Sequence, residues 1–356
     1  MHILPLLVST ILSAASMPAI LYVAERRNLY DSLGARKIHT GNIPRLGGAG
    51  IFIAFFLVVL GLPLAEDGGL IQGLASRADL LVPVAVGAFL VHGIGLWDDL
   101  TGGKVRAVWK LIVQILAAVI VVGQGLRFGG LNFAPDNLAG SLRWVSSVIT
   151  CVWIVGVTNA INLIDGMDGL AGGISLIASL AYSIFFFLKG DLLSAFLCLS
   201  LAGAIAGFLT ANFPAPKAKL FMGDSGSLFL GFCLSVMPLL GHTGDVEMVT
   251  VGVIPATLVL FVPVYDTLRA VWRRTKAGVS IASADRLHIH HLFFDAGFRP
   301  ISILAIVYGV TAVQAIIFLV ASRLPQYLAF LAELIGFCGT LIVFRFAASL
   351  QINNKE

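Results

Sequence analysis

The stretch NLIDGMDGL, from Asn162 to Leu170, separates two long apolar segments and carries two carboxylates. One of these segments begins near Trp144, and the other ends near residue 188. A charged side chain close to hydrocarbon costs free energy, so it is retained where it serves a function and has a partner. Asp165 and Asp168 therefore mark a candidate functional site at the end of membrane-spanning helices.

The composition as a whole is that of a membrane protein. Of the 356 residues, 58% are hydrophobic and 12% are charged, whereas about 25% charged residues are usual in a soluble domain. Apolar windows of helical length predict an all-α polytopic membrane protein with about 11 transmembrane helices in a single domain, residues 1–356. The windows lie near residues 3–24, 47–65, 80–97, 106–123, 144–164, 169–188, 191–211, 225–241, 248–270, 301–321 and 326–347. The first window has no basic segment before it and no cleavage site after it, so we expect it to remain a helix.

The basic residues predict the orientation of these helices. When alternate loops are assigned to one side, starting with residues 25–46, that side receives 18 of the 23 lysines and arginines. Because Lys and Arg are enriched in cytoplasmic loops, the N-terminus is predicted to be periplasmic and the C-terminus cytoplasmic. The acidic motifs all fall on the cytoplasmic side. A transmembrane ion path would need ionisable groups near mid-span, so this pattern favours a phosphate and metal site.

Three further acidic motifs lie at the ends of apolar windows or within them. They are Asp98–Asp99 after GIGLW, Asp224 in FMGDSGS and Asp266 in FVPVYDTLR. Oxygen ligands gathered at one membrane face suit Mg²⁺ that holds phosphate groups. Simpler roles stay open for each motif taken alone, because Asp98–Asp99 could be a polar helix end and Asp224 could cap the helix that follows it.

The spacing within NLIDGMDGL adds a geometric expectation. Asn162, Asp165 and Asp168 are three residues apart, which predicts that they share one face of a helix. The glycines that follow would let a ligand approach the backbone closely. A short turn with capping aspartates is the alternative, but it does not explain two carboxylates and an amide on one face beside an apolar span.

Basic residues and histidines occupy two loops on the same predicted side. The loop before the tenth window contains Arg273 and the sequence DRLHIHH, which ends at His291. Imidazoles that donate hydrogen bonds to a diphosphate fit this basic setting, and a zinc site is the alternative, although no Cys or HExxH pattern supports it. Before the second window, Lys37 and His39 could bind a lipid phosphate head group or could be simple positive-inside determinants.

Together, RKIHTGNIPRLGG, the Asp98–Asp99 pair, NAINLIDGMDGL, KLFMGDSGSL and DRLHIHH resemble the polyprenyl-phosphate N-acetylhexosamine-1-phosphate transferases. This membrane family includes the WecA- and TagO-like enzymes, the MraY translocase and the dolichyl-phosphate GlcNAc-1-phosphate transferases. The HIHH form with SADR before it is more similar to the WecA and TagO branch. The resemblance implies transfer of a UDP-activated N-acetylhexosamine-1-phosphate, with GlcNAc expected, to undecaprenyl phosphate. It implies release of UMP, Mg²⁺ as cofactor with Mn²⁺ able to substitute, and an active site on the cytoplasmic face of the inner membrane.

The resemblance also assigns roles by position. It implies catalytic roles for Asp98, Asp99, Asp168, His290 and His291. It implies metal binding by Asp224 and Asp99. It implies substrate binding by Asn162, Asp165, Phe221 and His288, with Phe221 packing on uracil, and we add Lys37, His39 and Arg273 to this set. Many members have a lysine three residues after the acidic pair, whereas this chain has Gly102 there and Lys104 as the nearest base.

Two other functions stay open at this point. One is transfer of phospho-MurNAc-pentapeptide within the same family. The other is a cation-coupled secondary transporter, which would need carboxylates at the bilayer midplane and repeated broken helices. The expected partners are the sugar nucleotide, the polyprenyl phosphate and the lipid bilayer, with no nucleic acid, and a homodimer is an open oligomeric state.

Overall fold

A computed structural model of the chain describes residues 3–27, 29, 43–65, 68–128, 139–214, 217–241, 252–280 and 287–353. Within these ranges the chain is helical and contains no β-strand. The α-helices are α1 (Leu4–Arg26), α2 (Gly47–Gly61), α3 (Gly69–Ser76), α4 (Ala78–Leu100), α5 (Ala107–Gly123), α6 (Ala139–Ile164), α7 (Leu170–Leu188), α8 (Leu192–Asn212), α9 (Gly223–Val236), α10 (Val253–Val259), α11 (Phe261–Lys276), α12 (Ile289–Asp295), α13 (Pro300–Ala321) and α14 (Gln326–Asn353). Short 3₁₀ helices, Leu62–Ala65 and Met237–Leu239, extend α2 and α9.

The described helices are those of a multi-pass membrane protein. Eight of them are long and apolar enough to cross a bilayer: α1, α2 with its extension, α4, α6, α7, α8, α13 and α14. The remaining apolar segments are two shorter helices, α5 and α9, and the bent pair formed by α10 and α11. Each of the predicted apolar windows therefore has a counterpart in the fold.

The ninth window, residues 248–270, is wrong as a single helix. Residues 248–251 lie outside the described ranges, and the chain beyond them forms α10 and α11, which meet at 94°. Pro263, in the first turn of α11, has no N–H to donate to the carbonyl of Val259, so the helical hydrogen-bond ladder is interrupted here. Beyond the bend, α11 ends in a basic last turn that contains Arg273.

Helix α9 lies at the centre of the bundle, and all of its residues are buried. It packs against α2, α4 and α6. The contact with α4 is close, because a Cβ added to Gly95 would lie 2.5 Å from the carbonyl oxygen of Asp224. Helix α6 packs mainly on α9 and makes little contact with α7, so the short α6–α7 link does not make these two helices close neighbours. The first turn of α9 is thereby surrounded by three other helices.

Polar contacts between helices also fix the periphery of the bundle. In α1, Ser9 and Ser13 donate hydrogen bonds of 2.7 Å to carbonyl oxygens of α8. Small residues that bond to a neighbouring backbone let two membrane helices approach closely. This contact anchors α1 to a helix that ends beside the carboxylate motifs.

Candidate active site

The acidic pair closes α4, and its two carboxylates have different partners. Asp98 Oδ1 accepts a backbone N–H from the turn before α5 at 2.8 Å, and Asp98 Oδ2 accepts Lys110 Nζ at 3.1 Å. Asp99 accepts the backbone N–H groups of Asp224 and Ser225, each at 2.9 Å. These N–H groups belong to the first turn of α9, which has no carbonyl partner for them, so Asp99 caps this helix from a neighbouring one.

Asp224 lies between two cationic side chains. Lys110 Nζ is 2.6 Å from Asp224 Oδ2, and Arg45 Nη2 is 3.6 Å from Asp224 Oδ1. Because the same ammonium contacts Asp98, Lys110 bridges carboxylates from α4 and α9. The Lys110 side chain is only 20% exposed, so water screens these interactions less than it screens a surface ion pair.

The backbone sets Arg45 beside Asp224. Residues 44–48 and 221–222 pair through three hydrogen bonds of 2.8 to 2.9 Å. Gly223 then adopts a left-handed φ of 75°, and a Cβ at this position would lie 2.2 Å from the Arg45 carbonyl oxygen. Only glycine fits both conditions. The PRLGG and FMGD motifs are therefore one structural unit.

The α6–α7 loop carries Asp165 and Asp168. Helix α6 ends one residue before Asp165, and α7 begins after Gly169, so the prediction that Asn162, Asp165 and Asp168 share one helical face is wrong. Two glycines within five loop residues disfavour a continuous helix. Asn162 alone lies on α6, where its Nδ2 donates to Ser227 Oγ on α9 at 2.8 Å.

Two side chains hold this loop from other helices. The N–H of Gly169 donates to Asn212 Oδ1 at 2.9 Å, and its carbonyl oxygen accepts the Tyr308 hydroxyl at 2.5 Å. Asn212 Nδ2 also donates to the carbonyl oxygen of Leu220 at 2.9 Å, just before the FMGD motif. One buried amide thus links the two segments that carry carboxylates.

The loop carboxylate Asp165 has an unusual pKa. Burial raises the pKa of Asp165 to about 8, and the nearby carboxylates of Asp224, Asp168 and Asp99 act in the same direction. The Arg45 guanidinium opposes them. A cation bound here would favour the ionised carboxylate, because opposite charge lowers the pKa of an acid.

Asp266 organises the histidine motif from its buried position in α11. Its Oδ2 lies 2.7 Å from His288 Nδ1, and its Oδ1 accepts the N–H of Ile289 at 2.9 Å. His288 is the N-cap residue of α12 and has an extended backbone. Asp266 therefore holds the position of His288, and in a neutral imidazole this contact favours the tautomer with Nδ1–H as donor and Nε2 as acceptor.

His290 lies against the carboxylate loop. A Cβ added to Gly166 would be 2.7 Å from His290 Nε2. Burial lowers the pKa of His290 to about 3, and the neighbouring His291 adds to this effect. Neither ring nitrogen has a hydrogen-bond partner among the described residues. The neutral ring therefore offers one donor and one acceptor beside the loop that carries Asp165.

The chemistry of the donor set fits a hard divalent cation. The carboxylates of Asp99, Asp165, Asp168 and Asp224 are close enough to interact electrostatically. Carboxylate oxygens are preferred Mg²⁺ ligands, and Mg²⁺ commonly takes only one or two from the protein and the rest from water and phosphate. An oxygen that accepts one N–H keeps a further lone pair. No group of three His, Cys, Asp or Glu side chains is arranged to hold a metal within the ranges given above.

The remaining predicted residues are placed as follows. Phe221 is half-buried in the segment paired with PRLGG, and Arg273 is half-buried near the end of α11. The ring centroid of His291 is 4.2 Å from that of His290. Lys37 and His39 lie outside the described residues. The catalytic, substrate-binding and metal-binding roles of the whole set stay predictions.

The sequence analysis gave no role to Arg45, Lys110, Asn212 or Tyr308, all of which take part in this geometry. Lys110 lies at the start of the otherwise apolar α5, and an ionisable residue in an apolar helix is a recognisable signal of function. Lys110 lies beside the acidic pair and supplies a positive charge there, whereas Gly102 stands at the position where many members of the family have a lysine. Asn212 and Tyr308 carry no comparable signal, because both contact the backbone of segments that are distant in sequence.

Comparison with known proteins gives consistent similarities. The family described as glycosyl transferase family 4 matches residues 81–242. The probable undecaprenyl-phosphate N-acetylglucosaminyl 1-phosphate transferase of Bacillus subtilis is 36% identical over 282 residues, which cover 79% of this chain and 74% of that protein. The decaprenyl-phosphate N-acetylglucosaminephosphotransferase of Mycobacterium tuberculosis is 34% identical over 310 residues, with coverage of 79% and 74%. The undecaprenyl-phosphate alpha-N-acetylglucosaminyl 1-phosphate transferase of Yersinia pestis is 29% identical over 327 residues, with coverage of 88% and 84%.

Proposed function

The chain belongs to glycosyl transferase family 4, among the polyprenyl-phosphate N-acetylhexosamine-1-phosphate transferases, and we propose that it transfers GlcNAc-1-phosphate from UDP-GlcNAc to undecaprenyl phosphate. A phosphate oxygen of the acceptor attacks the β-phosphorus of UDP-GlcNAc. The bond between that phosphorus and the bridging oxygen breaks, and UMP leaves. The product, a polyprenyl diphosphate that carries GlcNAc, initiates a cell-envelope glycan.

The observation that carries the proposal is the convergence of Lys110, Arg45 and the neutral His290 on a group of carboxylates at one end of the helices. Both substrates are anionic, so their approach requires charge neutralisation and alignment. Lys110 and Arg45 supply fixed positive charge next to Asp224. His290 supplies a hydrogen-bond donor whose protonation state does not change near neutral pH.

We propose Mg²⁺ as the cofactor, with Asp224 and Asp99 as protein ligands and Mn²⁺ as a substitute. When bound, such a cation neutralises diphosphate charge and stabilises the leaving phosphate. Asp98 lies beside this position and would accept the residual proton of the acceptor phosphate, whose second pKa is about 6. Lys110 would hold the Asp98 carboxylate in position for this role, because it donates a hydrogen bond to Asp98 Oδ2.

We further propose that the site faces the cytoplasm and that the protein lies in a bacterial inner membrane. The eight long helices, the bent pair and the two shorter apolar helices would then provide eleven crossings, with the N-terminus periplasmic. The distribution of basic residues supports this orientation, because the alternate assignment of the sequence between the apolar windows puts 18 of the 23 on the side of the acidic motifs.

An assay of UMP release tests the proposal. The purified protein in nanodiscs would be given UDP-GlcNAc, UDP-GalNAc or UDP-MurNAc-pentapeptide, each with and without undecaprenyl phosphate, in Mg²⁺ or in EDTA. We expect UMP from UDP-GlcNAc only when both the lipid phosphate and Mg²⁺ are present. Release from UDP-MurNAc-pentapeptide with UDP-GlcNAc inert would assign the chain to the peptidoglycan branch, and release without the lipid would contradict transfer.

A further inference from the structure

A pocket of about 580 Å³ lies where α4 turns into α5. The aliphatic side chains of Ile94 and Val113 line part of it, and Trp97 and Trp109 contribute two indole rings. Lys104 and Arg106, from the turn and the start of α5, also line the pocket. The pocket therefore combines an apolar surface with two positive charges.

The side chains of the carboxylate cluster do not line this pocket, and one lining residue, Val105, is linked to the cluster through its backbone N–H, which donates to Asp98 Oδ1 at 2.8 Å. Trp97 and Asp98 are adjacent on a helix, so their side chains point about 100° apart. Asp98 is buried and contacts Lys110, whereas Trp97 is 61% exposed. Lys110 is not among the pocket residues. The two faces of the α4–α5 hairpin thus present different chemistry, one toward the reacting groups and one toward the surroundings.

The exposed face has the properties of a membrane-water interface. Tryptophan concentrates at the level of lipid head groups, because its ring is apolar and its N–H is polar. Trp109, like Trp97, is mostly exposed, at 57%. The side chains of Lys104 and Arg106 are exposed and make no hydrogen bond or ion pair with the described part of the chain. Basic side chains at this level attract anionic lipids.

We propose that this pocket binds the phosphate head group of an anionic phospholipid from the surrounding bilayer. Lys104 and Arg106 would contact the phosphate, while the two indoles and the aliphatic side chains would contact the upper part of the acyl chains. A boundary lipid fits better than the reacting lipid phosphate, because the side chains of Asp98 and Lys110 do not line the pocket. The bound lipid would steady the hairpin that carries both residues.

Native mass spectrometry of the detergent-purified full chain tests this site. Phosphatidylglycerol and phosphatidylcholine would be titrated onto the wild type, onto Lys104→Gln with Arg106→Gln, and onto a control with Lys219→Gln and Arg299→Gln. The control removes two exposed cations of the same predicted face that do not line the pocket. We expect the pocket variant to bind phosphatidylglycerol roughly tenfold more weakly than wild type, with the control unchanged.

Three results would overturn the proposal. The first is an equal loss of phosphatidylglycerol in both double variants, which would indicate only general surface charge. The second is displacement of the lipid by millimolar inorganic phosphate, which would indicate an anion site without a lipid requirement. The third is displacement by undecaprenyl phosphate together with a raised KM for that lipid in the pocket variant, which would assign the pocket to the acceptor. The first two results come from lipid binding alone, so they would overturn the lipid site without bearing on the proposed transferase activity.

Discussion

Replacing Lys110 with methionine removes one positive charge from between two carboxylates and keeps the aliphatic length of the side chain. In the folded protein, Lys110 Nζ is 3.1 Å from Asp98 Oδ2 and 2.6 Å from Asp224 Oδ2. The side chains of these two carboxylates are 4% and 12% exposed. The variant therefore leaves two largely buried acids without their shared cation.

The expected loss of stability follows from this geometry. Removing one partner of a buried ion pair costs about 3–5 kcal/mol. The cost should lie at or below the lower end of that range, about 2–3 kcal/mol, because Lys110 is partly exposed and Arg45 remains near Asp224. For turnover, loss of a preorganised group that stabilises developing charge lowers kcat by about 10²–10³. Lys110→Arg keeps the positive charge but changes the position of its donors. It should therefore retain most of the stability of the wild type and a smaller fraction of its kcat.

Two measurements separate these effects. The free energy of unfolding would be measured by SDS titration in mixed micelles, and kcat by UMP release at saturating substrates. Lys189→Met is the matched control, because Lys189 is exposed and, within the described ranges, contacts no carboxylate: it donates to the carbonyl oxygen of Ser322 at 3.3 Å and lies 6.0 Å from the ring centroid of Phe185. A Lys110→Met protein with the stability and rate of the Lys189→Met control would refute the bridging role inferred from the two distances.

Six further variants test other parts of the site. Asp99→Ala should lower the free energy of unfolding by about 1 kcal/mol or more, because it removes the cap of α9. Asp98→Asn should reduce turnover with a smaller effect on stability. A larger loss of stability in Asp98→Asn than in Asp99→Ala would contradict these roles. Asp224→Ala should raise the Mg²⁺ concentration for half-maximal UMP release, and unchanged activity in EDTA would exclude a metal role. Asn212→Asp keeps an oxygen that accepts the N–H of Gly169 but loses the donor to the carbonyl oxygen of Leu220. It should therefore retain more activity than Asn212→Ala. Equal losses of activity in the two variants would argue against the role of Asn212 in linking the loop to the FMGD segment. Burial holds the pKa of His290 at about 3, below its unfolded value of about 6.5. The free energy of unfolding is therefore unaffected by this group above pH 6.5 and falls by up to about 1.4 kcal/mol per pH unit below pH 6.5, because only the unfolded state binds the proton. His290→Gln should flatten this decline in unfolding free energy between pH 6.5 and pH 5.

The membrane architecture could be predicted from the sequence because hydrophobicity is a local property. Each apolar window corresponds to a helix or to the bent pair, and the bend between α10 and α11 was the main departure. Pro263 was visible in the sequence. However, proline is tolerated in the first turn of a helix, and the apolar pattern continues through the break, so hydropathy alone does not locate the bend.

The candidate site could be predicted only in part, because its motifs are local and its contacts are not. The acidic motifs and the histidine motif could be read directly, and the structure brings most of them together. The link through Asn212 connects Gly169 to Leu220, and Tyr308 reaches Gly169 across 139 residues. Contacts of this kind depend on tertiary packing. They also involve backbone groups, which every residue has, so the sequence pattern does not indicate them.

The contacts of Asp99 and Asp266 also limit what loss of activity can reveal about either residue. Asp99 accepts two backbone N–H groups of α9, and Asp266 accepts one from α12 and contacts His288. Removing either carboxylate would displace a neighbouring site residue, so a fall in rate alone would not distinguish chemistry from positioning. Asp266→Asn keeps one acceptor oxygen but replaces the other with an amide that donates, which would reverse the hydrogen bond to His288 and favour its other tautomer. We expect this variant to fold normally and to raise KM, because His288 is a predicted substrate-binding residue. A lower kcat with unchanged KM would instead indicate that Asp266 acts on the chemical step.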